Sequence, residues 1–400
     1  MSPLRVTLAN RCAGEFRSIE ELFASIARAF PAWVECVVAS APRGRAKLRS
    51  ILANLRWACS LRDGDLIHQT GDIHYAVLGV WRRPVVLTIH DLRFIEEARG
   101  LKRVLYWWLW LYLPCLRADR VTVISEFTKD RLLALCRIAP AKVRVIPNCV
   151  AAEFVAVPKE WPGDKCDPVG RTGPGPPNYL PGGDIAITSL PHGNSRTSEA
   201  ACPYRESGRG EAATPYPIQN KVRVLQVGTT DNKNLERVAE ACAGVAVRLC
   251  ILGNLADSQR DDLDRRGVEY ETHQDLTKEQ VVALYQSCDL VVFVSTYEGF
   301  GMPILEAQAV GRPVLTSDIS PLREVAGGGA LKVDPFDVAA IRAGLALLLT
   351  DRDLREELVR AGFENVKGYS AEAVAAQYAE LYREVVGDRE PRHSCRGANV

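Results

Sequence analysis

The sequence has no long hydrophobic run and no excess of charge of either sign. Its longest apolar run, Val104–Leu116, has 13 residues, whereas a helix needs about 20 to cross a bilayer. Lys and Arg number 50 and Asp and Glu 49, and this balance argues against a nucleic-acid partner. Residues 3–9 have the pattern of a first strand rather than of a signal peptide. The sequence therefore predicts a soluble protein.

The twelve cysteines lack the spacing of a metal site. No Cys-x-x-Cys pair occurs between Cys12 and Cys395, so we interpret the cysteines as reduced thiols of a cytoplasmic protein and expect no metal or other cofactor. Asp-x-Asp triplets occur at 63–65, 262–264 and 351–353. None follows a predicted strand, where a pair of carboxylates could hold a divalent ion, and the third has the pattern of a helix cap.

Short β-branched runs alternate with longer helical stretches along most of the chain, and the pattern restarts after residue 217. Such alternation is typical of parallel sheets with right-handed crossovers. We therefore predict an α/β protein with two Rossmann-like, doubly wound domains. After the first strand, the predicted strands are Val34–Ala39, Leu66–Gln69, Pro84–His90, Arg120–Ile124, Lys142–Ile146, Lys221–Val227, Val247–Leu252, Leu290–Val294 and Arg312–Thr316.

A segment of different composition separates the two halves. Between residues 158 and 217, 20 of 60 residues are Pro or Gly and only five are Leu, Ile, Val, Phe or Met, too few for a core. We predict a disordered linker or insertion there, between domains at 1–157 and 218–370. Residues 371–387 are expected to form a helix that crosses back to the first domain, and residues 388–400 a frayed tail.

The most informative motif lies in Asp289–Thr316, where a predicted strand runs through a short loop into a helix near Pro303. Backbone amides at a helix start form an anion site that the helix dipole reinforces. Glu298 precedes this helix and Glu306 lies about one turn inside it, so both carboxylates can accept hydrogen bonds from one ligand. Spacing alone fits a solvated loop residue and a helix-start charge equally well.

The wider sequence resembles the family-4 retaining glycosyltransferases of the GT-B fold. The resemblance rests on EGFGMPILEA with the following GRPVLTSDISPLREVAG, on VISEFTKDRLL with KVRVIPNCV, and on VLQVGTTDNKNLERVAEAC. It covers most of the chain outside the Pro/Gly-rich segment. It implies two domains facing each other across a cleft. The implied reaction is transfer of a sugar, with retention, from a UDP- or GDP-linked donor to a hydroxyl of a glycan or lipid-linked acceptor.

The resemblance assigns roles to the residues of the C-terminal motif. Glu298 would contact the donor sugar and Glu306 the ribose, while the amides of Gly301 and Met302 would meet the diphosphate. No nucleophile for a double displacement is evident, so the resemblance implies front-face transfer, without a metal, in the synthesis of a cell-surface polysaccharide or glycolipid.

Lys233 falls where the family places a diphosphate-binding lysine, and a cation there would offset the charge of the leaving group. Many members carry an Arg a few residues earlier, but Thr229 and Thr230 stand at those positions here. We include Thr229 among the donor-binding residues. A single cation must then suffice, unless an Arg or Lys from elsewhere helps.

Two N-terminal residues complete the predicted donor site. His90 ends a predicted strand, at the edge where open α/β sheets bind ligands, and in the family this histidine lies beside the donor sugar. Gly14 is our candidate for the family's Gly-rich phosphate turn, although a plain turn fits it equally well.

A loop after another predicted strand, residues 69–78, carries Asp72, His74 and Tyr75. We predict that these three side chains face the acceptor.

The aromatic run Tyr106–Tyr112 has two interpretations. The basic residues Lys102, Arg103, Arg117 and Arg120 flank it, as they would in a helix lying on the inner face of a membrane. Aromatic and leucine residues in a helix are equally typical of a core helix.

Two other functions remain open on the same architecture. A nucleotide-sugar 2-epimerase would turn over its substrate without an acceptor. A degenerate chain would bind nucleotide sugar without transferring it, as the missing arginine and sparse glycine turn would allow.

Overall fold

The computed structural model describes residues 2–12, 18–44, 47–159, 161 and 221–387. The described part contains two parallel sheets of six strands each. Each predicted strand is present near its predicted position, and most are buried because their residues are apolar and β-branched. The first sheet comprises β1 (Leu4–Asn10), β2 (Val34–Ser40), β3 (Leu66–Gln69), β4 (Val85–Ile89), β5 (Arg120–Val123) and β6 (Val143–Val145).

The second sheet contains two strands that the sequence analysis did not predict. These are β9, which is only partly buried, and β12, which has three residues. The sheet comprises β7 (Val222–Val227), β8 (Val247–Leu252), β9 (Tyr270–His273), β10 (Leu290–Phe293), β11 (Val314–Ser317) and β12 (Leu331–Val333).

The strand orders are β2-β1-β3-β4-β5-β6 and β12-β11-β10-β7-β8-β9, and all neighbouring strands are parallel. Each order reverses its direction once, between β1 and β3 in the first sheet and between β7 and β10 in the second. At such a switch point the loops beyond the carboxyl ends of the strands diverge and leave a crevice for a ligand. The predicted fold of two doubly wound domains is confirmed.

Helices cover the sheets on both faces. One turn of π-helix, Trp107–Tyr112, joins the α-helices Gly100–Tyr106 and Leu113–Arg117. Residues 100–117 therefore form one continuous helix, which we call the helical rod. The N-terminal helices are α1 (Ser18–Arg28), α2 (Leu48–Ser60), α3 (Arg93–Glu96), α4 (Gly100–Tyr106), α5 (Leu113–Arg117) and α6 (Glu126–Leu135).

The C-terminal half ends in three consecutive long helices, of which α13 begins at the predicted cap: Asp351 accepts a hydrogen bond from the amide of Leu354 (2.9 Å). The helices of this half are α7 (Leu235–Cys242), α8 (Asp257–Arg265), α9 (Lys278–Ser287), α10 (Met302–Ala309), α11 (Leu322–Ala326), α12 (Val338–Thr350), α13 (Arg352–Lys367) and α14 (Ala371–Gly387).

The last helix, α14, packs against α1 and the first sheet. Its Tyr382 hydroxyl lies 2.7 Å from Nδ1 of His68 in β3, and both side chains are buried. The helix therefore belongs to the core of the first sheet although it follows the second in the chain. The remaining domain boundaries stay predictions, because residues 162–220 and 388–400 lie outside the described residues.

Within the described part of the chain, the eight cysteines from Cys36 to Cys288 are free thiols. Within the same part of the chain, no three His, Cys, Asp or Glu side chains are grouped so that they could hold a metal ion. None of the helices described is long and apolar enough to cross a membrane.

Candidate active site

The loop after β7 places Lys233 over the carboxyl end of β7. Gly228 has a φ of +86°, and a Cβ there would lie 2.8 Å from Cγ of Lys233. Only glycine combines that backbone conformation with so close an approach. A short turn, Asp231–Lys233, and the left-handed Asn234 then start α7. The side chain of Lys233 is thereby held at the switch point between β7 and β10.

The loop after β10 supplies the partner of that lysine. Nζ of Lys233 lies 2.6 Å from Oε1 of Glu298, and the two side chains are only 21% and 14% exposed. The side-chain amide of Asn232 donates to the carbonyl of Tyr297 (3.0 Å) and fixes the loop. Two of the predicted donor residues, distant in sequence, therefore form one charged pair at the carboxyl edge of the second sheet.

Helix α10 begins directly after this loop. Gly301 precedes it with a φ of +118°, and a Cβ there would lie 2.6 Å from Leu322. Met302 is the first residue of the helix, so its amide belongs to the first turn, whose N–H groups have no partner inside a helix. The predicted anion site therefore lies at the end of β10.

Glu306 lies one turn inside α10 and accepts a hydrogen bond from the Tyr285 hydroxyl (2.6 Å). Burial raises the pKa of Glu306 above its ordinary value, against the lowering effects of Tyr285 and of nearby Lys233. The carboxyl group is therefore partly buried and lies within electrostatic reach of Lys233.

Both the hydroxyl and the carbonyl of Thr229 are hydrogen-bonded within the C-terminal domain. Its hydroxyl donates to the carbonyl of Asn254 (2.6 Å), and its carbonyl accepts from the side chain of Gln259 (2.7 Å). Its side chain thus brings no charge to the site.

His90 follows β4 on the opposite side of the cleft. Its Nε2 lies 3.0 Å from the carbonyl oxygen of Thr70, and because a carbonyl only accepts, Nε2 must carry the hydrogen. Burial lowers the pKa of His90, so the ring is neutral near pH 7. Its Nδ1 is left as a hydrogen-bond acceptor.

The two domains meet around these residues. Ser125, which caps α6, donates to the carbonyl of Gly299 (3.0 Å), and the Tyr297 hydroxyl donates to Glu96 (3.1 Å). A Cβ on Gly299 would lie 3.4 Å from the carbonyl oxygen of His90. A cleft cavity of about 300 Å³ remains, lined by Ser18, Ile19, His90, Asp91, Arg93, Ile124, Asn148, Asn232, Tyr297, Glu298 and Gly299.

A second cavity of about 210 Å³ lies in the N-terminal domain, and His90 and Asp91 line both cavities. Asp72 and His74, two of the three residues that we predicted to face the acceptor, line this cavity, whereas Tyr75 lies in the core with its hydroxyl bound to Asn54 (2.9 Å). Gly14 lies outside the described residues. The lining residues are Asp72, His74, His90, Asp91, Phe94, Tyr106 and Trp110.

Sequence reasoning missed several residues of the two cavities. Asn232 stands beside the predicted Lys233, and Tyr297 beside Glu298, so their positions in the motifs were visible signals. Phe94 and Trp110 carried no such signal, because only the ring contact of Phe94 with His74 and the packing of the helical rod against the loop after β3 bring them to the cavity.

The fold and this cleft define a GT-B protein, and the chain belongs to the family of glycosyl transferases group 1. Residues 213–365 match that family, and residues 6–154 match glycosyltransferase family 4. The expected family is confirmed.

Curated relatives support the same assignment. The D-inositol 3-phosphate glycosyltransferase of Corynebacterium efficiens is 34% identical over 344 residues, which are 80% of this chain and 71% of that protein. The O-antigen chain mannosyltransferase B of Escherichia coli is 39% identical over 105 residues, 26% of this chain. The chain spans only 28% of the length of that mannosyltransferase.

Solved structures share the fold at low sequence identity. The Anabaena protein HepE, crystallised with UDP and glucose, has a TM-score of 0.65 and 14% identity, and the match covers 95% of this chain and all of that one. The sucrose-phosphate synthase of Thermosynechococcus elongatus has a TM-score of 0.62 and 16% identity, over 96% of this chain and all of that one.

Proposed function

We propose that this protein transfers a sugar from a nucleoside-diphosphate sugar to an acceptor hydroxyl, with retention of the anomeric configuration. The pair of Lys233 and Glu298 carries the proposal, because it lies at the switch point of the second sheet and Glu298 lines the cleft together with His90. A cation beside a carboxylate matches two polar parts of such a donor, its diphosphate and its sugar hydroxyls.

Binding of the donor would separate this pair. Lys233 would turn to the diphosphate, and Glu298 would then accept hydrogen bonds from the sugar. The amides of Gly301 and Met302, at the start of α10, would meet the phosphates through the helix N-terminus. Glu306, one turn inside α10, would accept a hydrogen bond from a ribose hydroxyl.

The neutral ring of His90 suits a sugar hydroxyl better than a phosphate. Its free Nδ1 can accept a hydrogen bond but offers no charge. The acceptor oxygen would attack the anomeric carbon on the face from which the diphosphate leaves. Its proton would pass to the departing phosphate oxygen, so that both bonds change without a covalent enzyme intermediate or a metal ion.

The names of the relatives support a role in the synthesis of a cell-surface polysaccharide or glycolipid. The E. coli relative is named for the O-antigen chain, and the structure of HepE was determined with UDP and glucose. A UDP- or GDP-linked hexose is accordingly the donor that we propose.

Donor binding and stereochemistry can be tested together. We expect UDP or GDP to raise the melting temperature, and the Glu306→Ala variant to show a smaller rise. Proton NMR of the product formed from an α-linked donor should show an α-linkage. A β-linked product would exclude retention, and no nucleotide shift in folded protein would leave a non-catalytic chain as the better explanation.

The helical rod at residues 100–117 supports contact with a membrane surface. Leu101, Val104, Leu105 and Trp108 share one face and are 46–85% exposed, while Trp110 on the other face is buried. The buried face thus agrees with the core interpretation of the aromatic run, and we propose the membrane interpretation for the exposed face.

The occupant that we propose for this exposed face is an anionic lipid surface. Arg99, Lys102 and Arg103 are exposed beside the apolar side chains, and apolar insertion combined with basic charge is the pattern of interfacial helices. Acidic phospholipids would attract each basic residue by about 1 kcal/mol near the surface.

Vesicle flotation tests this contact. The protein should float with vesicles that contain phosphatidylglycerol and remain below with pure phosphatidylcholine vesicles. Leu105→Glu should abolish flotation, whereas Phe336→Glu, at a residue that is 59% exposed in the other domain, should not. Equal flotation of both variants would exclude the exposed face as the contact.

A further inference from the structure

The second cavity has an aromatic wall next to the reaction cleft. Rings of Tyr106 and Trp110 lie 5.2 Å apart, and those of Phe94 and Tyr106 lie 6.3 Å apart. The planes of the two pairs are tilted by 53° and 57°, and the three side chains together form an apolar wall of the kind that lines small-molecule sites. Such a surface matches the C–H face of a pyranose ring.

His74 contributes an unsatisfied acceptor to this cavity. Its Nδ1 lies 2.9 Å from the carbonyl oxygen of Trp110, so Nδ1 carries the hydrogen. Burial lowers the pKa of His74, and the ring is neutral. The residue is only 2% exposed, and its Nε2 has no hydrogen-bond partner. Buried acceptors are rarely left unpaired, so this atom indicates a ligand that donates a hydrogen bond.

The charges around the cavity are negative. Asp72 binds Arg11 (2.8 Å), but the same guanidinium also binds Glu20 (2.8 Å), so these three side chains together carry one negative charge. Asp91 adds a second carboxylate. Neither Lys nor Arg occurs among the described residues that line the cavity. A phosphate or carboxylate on the ligand would therefore be repelled.

We infer that this cavity binds an uncharged sugar unit of the acceptor and rejects an acidic one. The sugar ring stacks on the aromatic wall, and its hydroxyls donate to Nε2 of His74 and to the carboxylates of Asp72 and Asp91. Because His90 and Asp91 line both cavities, a sugar held here presents a hydroxyl to the donor in the cleft. This inference rests on the proposed glycosyl transfer and names the class of its acceptor.

The inferred class differs from the acceptor in the name of the corynebacterial relative, D-inositol 3-phosphate. Matched neutral and phosphorylated probes therefore test it directly. Saturation-transfer NMR on the full chain, with UDP or GDP present, would compare inositol with inositol 3-phosphate, and methyl mannoside with mannose 6-phosphate. We expect each neutral probe to bind at least about tenfold more tightly than its phosphorylated partner.

Two variants connect that preference to the cavity. Asp72→Asn should reduce the discrimination against phosphate severalfold, whereas Asp63→Asn, at the opposite end of β3, should leave it unchanged. Phe94→Leu keeps an apolar side chain but removes a ring, and should weaken neutral sugars without affecting the nucleotide.

The outcomes separate this inference from the proposed function. Suppose that UDP or GDP raises the melting temperature but the phosphorylated probes bind as tightly as the neutral ones, or more tightly. That result would overturn the inference and leave the proposed glycosyl transfer intact. Failure of every neutral probe to bind would overturn it as well. Binding of neutral sugars without any rise in melting temperature on addition of UDP or GDP would instead contradict the proposed transfer.

Discussion

Replacement of Lys233 by Met tests the donor site most directly. Nζ of Lys233 lies 2.6 Å from Glu298 and 4.8 Å from the centre of the Phe293 ring, and its stem packs on Gly228. Methionine keeps most of that apolar stem but carries no charge. We therefore expect the variant to fold and to lose only the electrostatic part of donor binding.

The size of this loss of affinity depends on the change of partner of Lys233, from Glu298 in the free protein to a phosphate in the complex. An ammonium about 4 Å from one phosphate charge contributes about 4 kcal/mol at an effective dielectric constant of about 20. In the free protein the same cation already pairs with Glu298, and the two side chains are 21% and 14% exposed. If that pairing offsets about half of the gain, the variant should bind a nucleoside diphosphate about 2 kcal/mol, or roughly 30-fold, more weakly.

Titration calorimetry with diphosphates and monophosphates distinguishes this charge from general damage. A monophosphate lacks the outer phosphate, so Lys233→Met should weaken its binding by only about threefold. Lys367→Met is the matched control, because Lys367 lies on the surface, paired with Glu364 (2.6 Å), and should have no effect. Diphosphate binding within about threefold of the wild type in folded Lys233→Met would refute the assignment.

Three further predictions concern buried or partly buried polar groups. Burial raises the pKa of Glu306, so stability given by its protonated form is lost as the pH rises through that pKa. Glu306→Gln still accepts from Tyr285 and should raise the melting temperature at pH 8 but not at low pH, while donor binding falls. Tyr382→Phe leaves Nδ1 of His68 unpaired and should cost about 1–3 kcal/mol in urea unfolding. Burial lowers the pKa of His68 to about 3, so its contribution to stability is present above about pH 6.5 and falls by about 1.4 kcal/mol per pH unit below it. His68→Gln, which can still bond to Thr88, should flatten this acid dependence, and an unchanged profile would contradict the assignment.

The fold was predictable from the sequence where strands are buried on both faces. All residues of β4 and β10 are buried, and their continuous apolar runs left little ambiguity. The strand β9, with sequence YETH, is only partly buried at the sheet edge and has no apolar run. Its position follows from pairing with β8, a long-range contact that no local pattern reports.

The candidate site was predictable where a motif joins the end of a strand to the start of a helix. Lys233 and Glu298 stand at such junctions, and both lie at the carboxyl edge of the second sheet. Thr229 shows the limit of that reasoning, because position alone does not reveal that its hydroxyl is bound to Asn254. Tyr75 shows the same limit in the first domain, since it follows His74 directly but points into the core.

The proposed acceptor cavity depends on contacts that are formed only in the assembled domain. His74 is held by the carbonyl of Trp110, 36 residues later in the chain, and Trp110 lies on the rod whose opposite face exposes Leu105 and Trp108. One helix thus contributes two aromatic rings, those of Tyr106 and Trp110, to the proposed sugar subsite and an apolar face to the proposed membrane contact. An acceptor anchored in a lipid surface would approach along this helix. Its uncharged sugar unit would then occupy the proposed subsite while its lipid anchor stays in the membrane that the exposed face contacts.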